Sequence, residues 1–374
     1  MAKGKVKEMF PGGNTSQGFF SYYNYIIPPD ATRILVIKGG PGVGKSSFMK
    51  DIAVEMNNRG FDVELHHCSS DNNSLDGVVF PQIRVAFIDG TSPHIVDPRN
   101  PGAVDEIIHL GDFWNEDGIR QWKTEILAIN RKVGRLFSRA YRFLKAAKII
   151  HEDLEEINGK DLDQGLANQK AADLIDDIFG GKSVSSKPGN LRKLFISAIT
   201  PDGFYNHLST ILDPLPVVYG ITGAPGTGKS TLIEKIAQAG IERGYHCEAY
   251  YCAFEPQKME HLVIEELGIG LTTAVEPHKY DLQKVTGIIN MNECMPTNNV
   301  MDTEVRESDL KLIDELFKKA LFYISQAKNA HDEMETYYIP HMDFAAINAL
   351  KQKTLERIFK YAGEQMEAVE LVSV

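Results

Sequence analysis

The stretch GGPGVGKS (39–46) returns, with two changes, as GAPGTGKS (223–230). Both copies fit G-x-x-x-x-G-K-[ST], and both follow a short apolar run and precede an amphipathic stretch. The register holds without a gap from 39–97 onto 223–281, an offset of 184, and sixteen of the 59 positions are identical. Pro93, His94 and Asp97 are among the identities and lie far from the glycines, so more than a motif is duplicated.

The similarity extends both ways from this core. LFSRAYRFLKAAKIIHEDLEE (136–156) matches LFKKALFYISQAKNAHDEMET (316–336), and FPGGNTSQGFF (10–20) matches FISAITPDGFY (195–205). A repeat this long implies two copies of one structural unit. The expected domains are 1–188 and 189–374, joined by the Gly-, Ser- and Pro-rich stretch GGKSVSSKPGN (180–190).

Within each copy, RILVIKG (33–39), DVELHHC (62–68) and RVAFIDG (84–90) are strand-sized apolar runs. SSFMKDIAVEMNNRG (46–60) has helical periodicity and stops at Arg59-Gly60. This order predicts an α/β fold: two tandem P-loop NTPase domains, each a parallel sheet flanked by helices. Residues 119–179 and 306–370 read as a helical extension of each domain.

The glycines let successive backbone N–H groups converge on phosphate, and the helix N-terminus adds partial positive charge. The expected phosphate-binding residues are Gly39, Gly40, Pro41, Gly42, Val43, Gly44, Lys45, Ser46 and Ser47 in copy one. In copy two they are Gly223, Ala224, Pro225, Gly226, Thr227, Gly228, Lys229, Ser230 and Thr231. Lys45 and Lys229 would reach the β- and γ-phosphates of ATP, and Ser46 and Ser230 would hold Mg²⁺. The second loop position is Gly40 or Ala224, not Lys, which argues against a lysine reaching across a nucleotide-sandwich dimer.

Asp89 ends an apolar run and fits the metal-side carboxylate of such sites; the bland reading is a strand-end Asp capping a turn. Copy two has Thr273 there, so it is expected to bind nucleotide and hydrolyse it poorly, unless Glu276 or Asp281 substitutes. His94 and His278, each after a proline, could orient water or contact phosphate, or cap a turn. The catalytic set expected in copy one is therefore Lys45, Asp89 and His94. Asp71 and Glu255 occupy equivalent places after the second strand and read as solvated loop acids, or as acceptor-side carboxylates. Lys148, His151 and Glu155 recur as Lys328, His331 and Glu335 on one helix face, either a substrate-facing surface or a structural patch. Among the arginines, Arg99, Arg139 and Arg142 are candidate charge stabilisers. The aromatic segment GFFSYYNYII (18–27) reads as core, with adenine stacking as the alternative.

Composition sets the outer bounds. The chain has 374 residues, a formal net charge of −11 and four cysteines. An acidic chain argues against a general nucleic-acid binder. No run of about 18 apolar residues occurs, which argues against a membrane span. The N-terminus lacks an apolar stretch after its charges, and four cysteines suit reduced thiols, so a cytoplasmic protein is expected. An N-K-x-D guanine motif is absent, and the nearest Asn-rich stretch, PTNNVMD (296–302), does not fit it; this favours ATP.

KGGPGVGKS (38–46), AFIDGTSPHIVDP (86–98) and GAPGTGKST (223–231) together resemble a family of bacterial tandem P-loop ATP-binding proteins, found chiefly in spore-forming Firmicutes and described as ATPases or nucleotide kinases. The resemblance covers nearly the whole chain and implies ATP binding and a cytoplasmic location. Three activities fit: an ATPase working mainly in copy one with a regulatory copy two, a nucleotide or small-molecule kinase, and a non-catalytic nucleotide-sensing scaffold. The partners expected are a nucleotide and, for a kinase, an acceptor, with the two copies arranged as an intramolecular pseudo-dimer.

Overall fold

Each copy builds the same six-stranded sheet in a computed structural model that describes residues 2–277, 280–295 and 303–372. In the first sheet the order is Val6–Met9, Val63–Cys68, Asp71–Phe80, Val85–Asp89, Arg33–Lys38 and Asp105–His109. The second repeats it with Leu191–Leu194, Cys247–Tyr251, Met259–Ile264, Ile269–Thr273, Val217–Thr222 and Gly287–Asn290.

The expectation of a purely parallel sheet is corrected. Asp71–Phe80 and Met259–Ile264 each run antiparallel to both neighbours, so the sheets are mixed, with the other pairings parallel. Residues 69–80 were left unread because their polar first half, DNNS, hides the alternation. Their second half, Leu75–Phe80, is buried at every position, Asp76 included, so burial does not follow a period of two. Two short hairpins also escaped the sequence reading: 12–15 with 18–21, and 197–200 with 203–206.

The first glycine loop joins Arg33–Lys38 to the helix Lys45–Asn58, and the second joins Val217–Thr222 to Lys229–Glu242. The first helix ends at Asn58, with Gly60 at φ +94° just beyond, as Arg59-Gly60 suggests. The helical extensions are Lys123–Lys160 with Gln164–Phe179, and Thr303–Glu335 with Phe344–Val372. Among the described residues no helix is long and apolar enough to cross a membrane.

The compact units do not follow the expected boundary at 188. One unit comprises 1–11, 21–137 and 324–374; the other comprises 12–20 and 138–323. Each sheet is thus grouped with the later part of the other copy's helical extension, 324–374 with the first sheet and 138–179 with the second. In the first unit the reason is visible in the core. Ile347, Ile358 and Ala362, from the last helix, are buried with Phe48, Met49, Ile52 and Met56 of the helix that follows the glycine loop. Arg357 adds hydrogen bonds to Glu106 at 2.8 and 2.5 Å. In the second unit a Cβ on Gly240 would lie 3.4 Å from the Phe179 ring, and Lys235 bonds Asn168. The repeat predicts two sheets but cannot say which copy's helices cover which sheet, because both copies carry the same apolar faces.

Candidate functional site

In the first unit the glycine loop turns through Gly42 at φ +64° and Gly44 at φ +88°, conformations that a Cβ disfavours. Gly44, which has no side chain to cap with, stands at the N-cap of the helix Lys45–Asn58. Lys45 Nζ donates to Gly40 O at 2.8 Å and lies 3.7 Å from Asp89 Oδ2. Ser46 Oγ accepts from Leu75 N at 3.0 Å, which ties the helix start to the neighbouring antiparallel strand. Val43 is buried, Gly39 packs beside it, Pro41 is half-buried and Ser47 is exposed.

Asp89 ends its strand as expected, and Thr91 fixes one of its oxygens: the Thr91 N–H and hydroxyl both donate to Oδ1, at 2.9 and 2.6 Å. His94 is buried and its ring stacks on Tyr23 with centroids 4.6 Å apart. The aromatic segment 18–27 therefore does serve largely as core, with Tyr22, Tyr23, Ile26 and Ile27 buried. His94 Nε2 also lies 3.7 Å from Asp76 Oδ1. Asp76 was missed in the sequence. Its signal was present: the gapless register pairs it with another acid, Glu260, and pairs Cys68 with Cys252. Burial raises the Asp76 carboxyl above its ordinary value, and the Asp89 charge adds to this while His94 opposes it.

The recurring Lys-His-Glu face sits over this loop. Lys328 Nζ lies 3.7 Å from Asp71 Oδ2, and a Cβ on Gly42 would lie 3.1 Å from that of Glu335. Burial holds His331 below its ordinary value, with Lys328 and Lys45 pushing the same way and Glu335 opposing. Lys38 turns away from the loop, to Gly90 O at 2.8 Å and Asp97 at 2.9 Å.

The second unit repeats this plan with a tighter closure. Gly226 and Gly228 adopt φ +79° and +85°, and Gly228 caps Lys229–Glu242 without a side-chain bond. Lys229 Nζ donates to Gly223 O at 2.8 Å and Ala224 O at 2.7 Å. Burial lowers Lys229 to about 8, with Glu155 and Glu260 opposing. Thr227 is buried and donates to Ala224 O, Thr231 is exposed, and Ser230 donates to Glu234 rather than to the sheet. Asn158 donates to Pro225 O at 2.8 Å, and Gly226 packs on the Glu155 backbone. A cavity of about 200 Å³ lies beside this loop, lined in part by Gly159, Asn168, Gly226, Gly228 and Lys235.

Glu255 corrects the expectation of a solvated loop acid. It is buried, 2.7 Å from Lys148, 3.1 Å from His151 and 2.9 Å from Lys258, and Lys258 also bonds Glu155. Burial would raise its carboxyl, but His151, Lys148 and Lys258 outweigh this and hold it down at about 2. Thr273 ends the strand equivalent to that of Asp89 and carries no charge. Glu276 and Asp281 are exposed, while His278 and the stretch 296–302 lie outside the described residues. Arg99 bonds Asn24, and Arg139 lies over the Tyr323 ring, so neither is placed at a glycine loop.

No family model matches the chain, and neither a curated protein nor a solved structure matches it.

Proposed function

We propose that the chain is a P-loop ATPase that binds Mg-ATP at both glycine loops and hydrolyses it mainly at the first. The observation that carries this reading is the Lys45–Asp89 pair at 3.7 Å, set beside a positive-φ glycine turn at a glycine-capped helix N-terminus. That combination offers converging N–H donors, a lysine and a strand-end carboxylate to one polyphosphate. The resemblance to bacterial tandem P-loop ATP-binding proteins points the same way.

The residues fit Mg-ATP by their donor chemistry. The Gly42–Lys45 backbone would cradle phosphate, with Lys45 leaving Gly40 O for the phosphate oxygens. Ser46 and Asp89 would hold Mg²⁺, which supplies charge neutralisation when bound. His94, steadied by Tyr23, would orient water with the Asp76 carboxylate beside it.

The second loop keeps the lysine and the serine but has Thr273 for Asp89, which supports a binding role with weak turnover. The test is phosphate release from Mg-ATP without any acceptor. Wild type should turn over, Lys45→Ala should abolish it, and Lys229→Ala should leave most of it. No release, with ATP still raising the melting temperature, would overturn the ATPase reading; release of γ-phosphate only onto an added acceptor would make the protein a kinase.

A further inference from the structure

We infer that Asp76, Asp89 and His94 form a binding site for one divalent first-row transition ion, Mn²⁺ in the first instance, held directly by the protein. The inference deepens the nucleotide reading and rests on it for the ion's role, but not for its binding.

One ligand atom from each of the three residues lies within 4.8 Å of the other two. All three side chains are buried, between 5% and 11% exposed. Ligands about 2.1 Å from an ion stand roughly 3 to 3.5 Å apart in octahedral or tetrahedral geometry, so a contraction of about an ångström closes the site.

The ligands are also oriented from outside, as those of metal sites are. Thr91 fixes the far oxygen of Asp89 through two hydrogen bonds. Tyr23 holds the His94 ring by stacking, with centroids 4.6 Å apart.

Charge argues in the same direction. Asp76 and Asp89 are buried side by side, and Lys45, which answers Asp89 at 3.7 Å, is the lysine that phosphate would claim. The cluster of His151, Glu155 and Glu255 has a comparable donor set, but Lys148 and Lys258 already neutralise it. In copy two the positions of Asp76 and Asp89 hold Glu260 and Thr273, so the proposed site belongs to copy one.

An imidazole ligand selects against Mg²⁺, which prefers oxygen and keeps its waters, and in favour of transition ions. A Mg²⁺ held chiefly by a triphosphate would instead bind only with nucleotide.

The experiment is a Mn²⁺ titration of nucleotide-free full-length protein followed by electron paramagnetic resonance. One Mn²⁺ per chain should bind, with a ¹⁴N coupling from the imidazole in the spin-echo spectrum, and Mg²⁺ should compete only at concentrations at least about tenfold higher. His94→Gln should lose the coupling, and both His94→Gln and Asp76→Asn should weaken binding by about 10- to 100-fold. Lys45→Ala should keep the ion while losing ATP at the first loop only. Absence of Mn²⁺ binding without nucleotide, or binding without a ¹⁴N coupling, overturns the site, and the wild-type spectrum decides this even if a variant does not fold. Mn²⁺ bound with the coupling but no affinity for ATP would leave the ion site standing and remove the nucleotide reading.

Discussion

Lys148 Nζ lies 2.7 Å from Glu255 Oε2, and the equivalent atoms of the other copy, Lys328 Nζ and Asp71 Oδ2, lie 3.7 Å apart. In each pair the lysine comes from the helical half of one copy and the acid from the sheet half of the other. The duplicated sequence has thus kept a charge pair that joins one copy to the other. The same exchange lays Glu335 against Gly42 and Glu155 against Gly226, so each glycine loop is closed by the other copy's helix.

Fragments cut at the repeat boundary should therefore fail alone. Residues 1–188 retain Phe48, Met49 and Ile52 but lose Ile347, Ile358 and Ala362, which complete that core. Each lost aliphatic contact of this kind costs about 1 to 3 kcal/mol, a large share of a domain's stability. Expressed separately, 1–188 and 189–374 should be insoluble or lack a cooperative thermal transition. Co-expressed, they should co-purify and melt as a folded species.

Glu255 should make stability fall in acid. Its carboxyl is depressed from 4.5 to about 2, so its contribution is complete above about 4.5 and disappears as the pH falls from there to about 2. The loss should be on the order of 3 kcal/mol. Urea midpoints measured at pH 6 and pH 3 should differ clearly less for Glu255→Gln than for wild type. At neutral pH, Lys148→Met should lower the unfolding free energy by about 1 to 3 kcal/mol, since it removes a charged hydrogen-bond partner from a buried acid.

The two loops should respond differently to the same substitution. A Cβ on Gly42 would meet Ile339 Cγ1 at 2.9 Å, where the side chain can shift, and Glu335 Cβ at 3.1 Å, where a few tenths of an ångström suffice. A Cβ on Gly226 would overlap the Glu155 carbonyl, which is backbone inside a helix. Both changes also force a left-handed residue, worth about 1 to 2 kcal/mol. Gly226→Ala should lower the melting temperature more than Gly42→Ala does, and equal losses would contradict the closure seen at the second loop.

ATP binding at the second loop should weaken in mild alkali. Lys229 is lowered to about 8, so it loses its charge as the pH passes that value. The sign is that of a depressed lysine. Burying its charge costs stability below about 8, and the cost is relieved as the pH rises toward its unfolded value. Anion affinity moves the opposite way. In Lys45→Ala, which leaves copy two as the remaining nucleotide site, the Kd for ATP should rise several-fold between pH 7 and pH 9.

Sheet and loop were legible in the sequence because their information is local. RILVIKG before GGPGVGKS, and VAFID ending in Asp89, specify strand, turn and helix within a few residues. Asp76 was legible only through the repeat, as an acid paired with Glu260, because the strand carrying it has no alternating pattern. Glu255 was misread as a solvated acid because the cations that make its burial possible lie about a hundred residues away, at Lys148 and His151.

The sequence by itself determined the duplication, the two glycine loops, the strand-end acid of copy one and the threonine, Thr273, at its place in copy two. Tertiary structure alone decided the pairing of halves and the gathering of Asp76, Asp89 and His94 into one buried cluster. The physical reason lies in the repeat itself. Two copies of one pattern offer every apolar helix face two equivalent sheets, and periodicity is blind to that choice. It is made by contacts between residues far apart in the chain, such as Arg357 with Glu106 and Lys148 with Glu255.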